Sequence, residues 1–387
     1  MYSTKLGIDR IDVIIDKIKG RRLGLVTNHT GFNSSMTHLI DLAKRFGEIE
    51  IVFTPEHGLY GSAGAGEKVE SYYDEEYGVR VFSLYGDTRE PPVEELSKLD
   101  AVIYDMQDLG LRWYTYISTL YYVVKNSAKA GIPLIVLDRP NPLTGYYTEG
   151  PVLEPDFKSF VGISEIPVRY GLTPGELALY FSKVEGLDGE VEVVALKGWM
   201  RRMWFDETGV PWIPPSPNIP DIETALAYAG ACLLEGTNLS EGRGTTSPFL
   251  QFGAPWIKPR HLAAVLNDEK TPGVIFRPTR FTPFASKYRG ETVGGIYLHI
   301  TDRGAFKPFV TFIRILRKIK EMYGEKFSLL KGDGKYRIDY LAGTAGVRAC
   351  IEGEKELEEL EEEWKRRREE FIQKAQKVLL YAGVLRA

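Results

Sequence analysis

The feature that most constrains the fold is a regular alternation of short apolar segments with helical ones from residue 22 onward. Five segments are apolar at successive positions and rich in β-branched residues: RLGLVT, IEIVFT, VRVFSLY, AVIYD and IPLIVLD. Helical patterns from Met36 to Phe46 and from Thr115 to Lys129 lie among them. Strands that alternate with helices form βαβ units, and strands that are apolar on both sides need helices on both faces of their sheet. The pattern predicts an α/β fold, with a Rossmann-like, mostly parallel sheet over residues 1–150.

Beyond Gly150 the loops lengthen. The proline-rich segment WIPPSPNIP cannot be a central strand, because each proline removes a backbone donor. A T-x-x-E box at Thr173 and the aspartate Asp221 each predict the start of a helix, the first through Ser182. A strand (GGIYLHI), a helix from Lys307 and a charged helix over residues 353–380 follow. The inward side chains of that last helix are expected to be Leu357, Leu360, Trp364 and Phe371. We expect a smaller α+β domain, residues 151–387, that closes the active-site cleft.

Composition excludes several classes of function. The chain has 49 Lys and Arg against 53 Asp and Glu, a net charge of -4 that does not attract nucleic acid. The two cysteines, Cys232 and Cys350, are too few for a disulfide framework, and with five histidines scattered along the chain they cannot build a Cys/His zinc site. We therefore expect no bound metal and no cofactor.

The N-terminal segment does not read as a signal peptide. Its isoleucines recur with helical spacing between Asp and Lys residues, instead of forming an unbroken apolar core. No run reaches the ~18 apolar residues that a membrane span needs. We expect a cytoplasmic protein without a membrane partner.

Polar side chains follow four of the predicted strands at their carboxyl ends. Ligands of open α/β sheets bind outside these ends, so the four turns predict one crevice. The residues are Asn28 and His29, Glu56 and His57, Gln107 and Asp108, and Asp138, Arg139 and Asn141.

A glycine-rich segment, GSAGAGEKV, has the glycine spacing of a phosphate loop. Glu67 stands where the lysine is required, and a carboxylate there repels phosphate. No G-x-G-x-x-G follows the first strand. The sequence disfavours a nucleotide site and favours a mobile loop over a site.

The crevice residues fit a saccharide. YDMQDLGLRWYTY combines Asp105 and Asp108 with Arg112 and several aromatic rings, which suit the hydroxyl edges and C–H faces of a sugar. A structural Asp–Arg pair among core aromatics is an equally good interpretation. A glutamate at Glu56, desolvated by aromatic walls, would have a raised pKa and could protonate a leaving oxygen. The alternative is an exposed acid beside a loop-capping His57, and Asp138 and Arg139 could likewise pair merely to hold their loop.

The motifs TNHTG, TPEHGLYG, YDMQDLGLRWYTY, DRPNPLTG, VRYGLTPGELA and EGTNLSEGRGT together resemble the exo-β-N-acetylmuramidases, in order from residue 7 to about 385. The resemblance implies removal of MurNAc from the non-reducing ends of peptidoglycan fragments during cell-wall recycling, at a site between two domains. It makes Glu56 the catalytic glutamate with His57 beside it, and leaves the second carboxylate open among Glu67, Asp105, Asp108 and Glu241. Tyr170 departs from the histidine usual in its motif.

We expect the remaining site residues to bind the saccharide, with Arg243 and then Arg112 as the cation for the lactyl carboxylate. The expected binding residues are Asn28, His29, Gln107, Arg112, Tyr114, Tyr116, Asp138, Arg139, Asn141, Arg169, Asn238 and Arg243. Two other functions fit the same residues: a different hydrolase or lyase of N-acetylated amino sugars, and a non-catalytic cell-wall saccharide-binding module. The number of chains in the assembly stays open.

Overall fold

The computed structural model describes residues 4–387, so the first three residues of the N-terminal segment lie outside the described part. The chain forms two compact units. The first comprises residues 1–147, 170–217 and 372–386, and the second comprises residues 148–169, 218–371 and 387. A boundary at residue 150 would make each domain one continuous segment of the sequence. Each of the two units instead consists of several separate segments.

The strands are, in chain order, β1 (Arg22–Thr27), β2 (Glu48–Thr54), β3 (Tyr72–Asp74), β4 (Val79–Ser83), β5 (Ala101–Asp105), β6 (Leu134–Leu137), β7 (Glu149–Val152), β8 (Pro167–Arg169), β9 (Val191–Val194), β10 (Gln251–Ala254), β11 (Val274–Phe281), β12 (Val293–Ile300), β13 (Lys331–Gly332) and β14 (Lys335–Tyr336). The α-helices are α1 (Ile15–Ile18), α2 (Leu39–Ala43), α3 (Val93–Leu96), α4 (Tyr116–Ala130), α5 (Pro174–Leu179), α6 (Ile222–Ala231), α7 (Pro259–Asp268), α8 (Pro308–Tyr323), α9 (Arg337–Ala342), α10 (Gly346–Ile351) and α11 (Leu357–Ala375).

A seven-stranded sheet in the order β3-β4-β2-β1-β5-β6-β9 lies at the centre of the first unit. Every pairing is parallel except that of the edge strand β3 with β4. All residues of β5 and β6 are buried, as their apolar sequences require. The predicted α/β class with a mostly parallel sheet is confirmed. The register pairs Thr27 with Asp105 and Thr54 with Ser83, so the parallel strands end at a common edge.

Local signals set several helix boundaries. The capping box at Thr173 is present, and Asp221 accepts a hydrogen bond from the Thr224 amide. The helix predicted over residues 36–46 is shorter, because Met36 has a positive φ of 57° and the His38 side chain caps the start of α2. After Leu179, α5 continues as a π-helical turn instead of an α-helix.

The second unit contains a three-stranded antiparallel sheet, in the order β10-β12-β11, together with helices α6 to α10 and most of α11. Phe252 of β10 packs against Phe312 of α8, with ring centroids 5.3 Å apart. The inward face predicted for the last helix is confirmed. Its four residues, Leu357, Leu360, Trp364 and Phe371, are buried.

No helix among residues 4–387 has the length and apolar character required to cross a membrane.

Candidate active site

Glu56 lies just beyond the carboxyl end of β2, half-buried, with a hydrogen bond to each carboxylate oxygen. The Thr115 hydroxyl, at the start of α4, donates to Oε2 at 2.8 Å. The backbone amide of Gly66 donates to Oε1 at 2.7 Å. Because the two donors come from different segments, they fix the orientation of the carboxylate while its loop still reaches solvent.

His57 secures the loop that follows Glu56. Its backbone has a positive φ of 73°, a strained conformation for a residue with a side chain, and the residue is buried. The ring Nδ1 lies 2.7 Å from the carbonyl oxygen of Ala63. His57 therefore holds the glycine-rich segment folded back toward Glu56.

The turn after β1 contacts this same loop. The His29 ring lies so close to Gly61 that a Cβ there would come within 2.5 Å of Nδ1. His29 Nε2 is 2.8 Å from the carbonyl oxygen of Pro214, and burial lowers the pKa of the imidazole. A neutral ring that donates from Nε2 fits this environment. The tight packing requires glycine at position 61.

Asn28, beside His29, is fully buried. Its Oδ1 accepts hydrogen bonds from the amide and the hydroxyl of Thr30, at 2.9 and 2.7 Å. Its Nδ2 is buried with no acceptor among the described residues. Asn28 therefore shapes the turn after β1.

Asp105 and Arg139 form a buried ion pair at the ends of β5 and β6. Arg139 donates to both carboxylate oxygens, from Nε at 2.5 Å and from Nη2 at 2.8 Å. Burial raises the pKa of Asp105 while the guanidinium opposes that rise. Arg139 also donates to the Phe32 carbonyl at 3.0 Å, which links the turns after β1 and β6. The carboxylate of Asp105 is thus already engaged.

Asp108 is buried and accepts hydrogen bonds from the hydroxyl of Tyr170 and the amides of Leu109 and Gly110. Burial raises its pKa to about 6, against these three bonds. Tyr170 is therefore the direct partner of one candidate carboxylate.

Gln107 and the two tyrosines after it are tied to neighbouring loops. The Gln107 side chain donates to the carbonyls of Asp108 and Pro140, at 2.8 and 2.9 Å. The hydroxyls of Tyr114 and Tyr116 both donate to the carbonyl of Pro215, at 2.8 and 2.7 Å. The proline-rich segment is thereby held at the carboxyl edge of the sheet. Arg112, which follows Gln107 in the same motif, is completely buried.

Asp138 and Asn141 are occupied by internal contacts. Asp138 accepts from the Thr173 hydroxyl at 2.8 Å, the Gly175 amide at 2.7 Å and the Tyr381 hydroxyl. Burial raises the pKa of Asp138 to about 7. The Asn141 side chain donates to the Leu172 carbonyl at 2.9 Å. These contacts join the end of β6 to the start of α5, which indicates a structural contribution.

Four of the predicted catalytic or saccharide-binding residues belong to the second unit. Glu241 accepts from Ser286 Oγ at 2.7 Å and contacts the cations of Lys287, at 3.0 Å, and Arg243, at 3.4 Å. Arg243 also pairs with Glu235 at 2.8 Å. Asn238 bridges two backbone groups, the Lys326 carbonyl and the Ser328 amide, and Arg169 is buried on β8. Arg243 thus belongs to a charge cluster with two carboxylates.

Sequence reasoning missed two neighbours of Glu56. Thr115 lies within the motif YTY, where the sequence predicts only the start of a helix. Tyr85 lies near Glu56. Burial raises the pKa of the Tyr85 hydroxyl, and the negative charge of Glu56 raises it further. The Arg89 guanidinium stacks over the Tyr85 ring, 3.9 Å from its centroid. The available signal was the position of Tyr85 at the carboxyl end of the predicted strand VRVFSLY, which lies beside β2 in the sheet.

Asp108 should make the stability of the protein pH-dependent. Its folded-state pKa of about 6 exceeds the ordinary 3.8, so the folded protein binds this proton more tightly than the unfolded chain. The contribution of Asp108 to the free energy of unfolding should therefore be greatest below about pH 4 and fall as the pH rises to about 6, by up to ~3 kcal/mol at ~1.4 kcal/mol per pKa unit. Asp108→Asn should flatten this slope in urea unfolding measured from pH 4 to 7. A slope identical to that of the wild type would assign the pH dependence to another group.

Comparisons with known proteins cover nearly the whole chain. Residues 23–223 match the family model described as exo-beta-N-acetylmuramidase NamZ, N-terminal, and residues 226–381 match its C-terminal counterpart. The peptidoglycan beta-N-acetylmuramidase NamZ of Bacillus subtilis (strain 168) is 42% identical over 367 residues, which is 94% of this chain and 88% of that protein.

Two solved structures of DUF1343 family proteins from Bacteroides fragilis NCTC 9343 have the same fold. One has a TM-score of 0.90 and 34% identity, over 99% of this chain and 100% of the other. The second has a TM-score of 0.77 and 29% identity, over 98% and 99% of the two chains.

Proposed function

Because this chain belongs to the exo-β-N-acetylmuramidase NamZ family, we propose that it is a glycoside hydrolase that removes the terminal non-reducing MurNAc from peptidoglycan fragments. The observation that carries the proposal is the geometry of Glu56. Two hydrogen bonds hold this half-buried carboxyl group in one orientation at the carboxyl edge of the sheet, where a bound saccharide can come within hydrogen-bond reach of it.

In the proposed reaction, Glu56 as its carboxylic acid donates a proton to the glycosidic oxygen as the bond to the anomeric carbon breaks. Glycosidases pair such an acid with a second carboxylate, which either activates water or attacks the sugar. Asp105 is engaged by Arg139, and Asp108 is buried under Tyr170. Neither is placed to meet an incoming water without rearrangement.

We propose Glu67 as the second carboxylate. It is exposed, it accepts a hydrogen bond from the Gly64 amide at 2.7 Å, and it follows Gly66, whose amide holds Glu56. Glu67→Gln should lower kcat by a similar factor for good and poor leaving groups, since its contribution does not depend on protonating the departing oxygen. The measurement is a series of aryl muramides whose phenols differ in acidity. Loss of less than about 10-fold would place the role on another carboxylate.

Turnover of a chromogenic β-muramide across the pH range tests the function as a whole. A muramidase releases the chromophore with a pH optimum, whereas a saccharide-binding module binds the same compound and releases none at any pH. A hydrolase or lyase of other N-acetylated amino sugars is distinguished by a faster reaction with the matching glucosaminide. Mass spectrometry of the product separates hydrolysis, which adds water, from elimination, which does not.

A further inference from the structure

Three tyrosines close together in sequence are unusually exposed in the first unit. Tyr60, Tyr72 and Tyr73 expose 48%, 41% and 57% of their surface. Tyr60 lies on the loop that follows Glu56, and the other two lie on the edge strand β3. Clustered exposed aromatic side chains commonly mark a binding surface.

A buried carboxylate orients one of these rings and lies on the same strand face as a second. Asp74, 5% exposed, accepts a hydrogen bond from the Tyr60 hydroxyl at 2.9 Å. Tyr72 lies two residues before Asp74 on the same face of β3, and Asp74 contributes with burial to a raised pKa of the Tyr72 hydroxyl. Tyr73 points to the opposite face. Tyr60 and Tyr72, which we call the tyrosine patch, thus share one anchor.

The tyrosine patch is continuous with aromatic residues at the carboxyl edge of the sheet. The Tyr60 ring stacks on Tyr77 with centroids 6.3 Å apart and planes 20° from parallel. Tyr77 contacts His38 at 5.4 Å, and His38 contacts Phe32 at 4.9 Å, in the turn after β1. The exposed rings are therefore supported from behind by packed rings.

The sheet register places the patch near Glu56. Tyr72 pairs with Val81 of β4, and Val81 pairs with Val52 of β2, two residues before the end of that strand. Two strand spacings, ~10 Å, and two residues, ~7 Å, therefore separate Tyr72 from the end of β2. Tyr60 is on the loop between them. A short oligosaccharide cleaved at Glu56 spans such a distance.

We propose that the tyrosine patch is a stacking subsite for a pyranose of the leaving saccharide, a proposal that rests on the proposed function. An N-acetylated sugar offers a C–H face to a flat ring, and rings fixed in advance lose little conformational entropy on binding. The exposed carboxylates around the patch, Glu70, Glu75 and Glu76, disfavour a polyanion and can accept hydrogen bonds from sugar hydroxyls. A neutral GlcNAc unit of the leaving saccharide is the ligand that fits both features.

The test compares two substrates in each variant. We take the ratio of kcat/KM for the tetrasaccharide MurNAc-GlcNAc-MurNAc-GlcNAc to kcat/KM for a chromogenic muramide. Tyr60→Ala combined with Tyr72→Ala should lower this ratio by about 10-fold, the effect of losing one or two aromatic contacts. Tyr60→Phe and Tyr72→Phe keep the rings and lose only the hydroxyl groups that face Asp74, so they should lower the ratio less than the alanine changes do. Tyr73→Ala, on the other face of β3, is the matched control and should also leave it unchanged.

An unchanged ratio in the double alanine variant overturns the subsite. If kcat/KM falls equally for both substrates, the ratio is unchanged and the patch is structural. If the ratio stays constant while light scattering shows a change in molar mass, the patch is instead a contact between copies of the chain. If the wild type turns over neither substrate, the proposed function fails by itself. Calorimetric titration of the tetrasaccharide into wild type and double variant then decides the subsite, with equal affinities overturning it.

Discussion

Replacing Glu56 by glutamine should abolish most turnover while leaving saccharide binding nearly intact. The amide keeps the shape of the side chain, and its oxygen can still accept from Thr115 or Gly66, but it has no proton to give. General-acid contributions are typically ~10²–10⁴-fold in rate, so kcat on a poor leaving group should fall within that range. The measurement is steady-state kinetics on aryl muramides, with affinity for the product MurNAc measured alongside.

The dependence on the leaving group separates a proton donor from other roles. An acidic phenol departs without protonation, so Glu56→Gln should affect it least. Thr115→Val, which removes one hydrogen bond to Glu56 but leaves the carboxyl group in place, is the matched control and should lose less activity on every substrate. Equal losses of Glu56→Gln across all phenols would contradict the assignment of Glu56 as the acid.

The largest loss of stability is expected from Asp105→Ala. This change leaves the Arg139 guanidinium buried, with 4% of its side chain exposed, and without its charge partner. Removing one member of a buried ion pair typically costs ~3–5 kcal/mol, because the remaining charge is uncompensated. Urea unfolding at pH 7, followed by circular dichroism, should show this decrease in the free energy of unfolding.

A double variant separates the effect of the unpaired Arg139 charge from the effect of lost packing. Asp105→Leu combined with Arg139→Met fills a similar volume without either charge, and it should recover much of the lost stability. If the double variant is as unstable as Asp105→Ala, the loss comes from packing or from the Arg139 bond to the Phe32 carbonyl.

The sequence was sufficient to predict the strands that carry the candidate site. Apolar, β-branched segments bounded by polar turns need no long-range information, and β1, β2, β4, β5 and β6 lie where those segments predicted them. The convergence of the turns follows from parallel pairing alone. Contacts such as His29 with Gly61, and the Gln107 amide with the Thr30 hydroxyl at 2.9 Å, occur between turns of different strands.

What local sequence cannot tell is which polar side chains are already engaged. Arg139 is 34 positions from Asp105, Tyr170 is 62 from Asp108 and Tyr381 is 243 from Asp138. Each pairing depends on how distant segments pack, so an accessible carboxylate and a buried, paired one look alike in the sequence. The strand β9, which pairs with β6, was also missed, although its VEVV segment alternates apolar and charged residues as a half-buried strand does.

Residues 372–386 belong to the first unit although they follow the second unit in the sequence. This order affects how the protein folds during its synthesis. The Tyr381 hydroxyl donates to Asp138, and the Leu380 amide donates to Glu176 at 2.8 Å. These bonds can form only after the ribosome has translated every residue of the second unit up to Phe371, at ~5–20 residues per second. Until then the Asp138 carboxyl lacks one of its partners. The sheet that emerges first from the ribosome is therefore among the last parts of the chain to complete its packing.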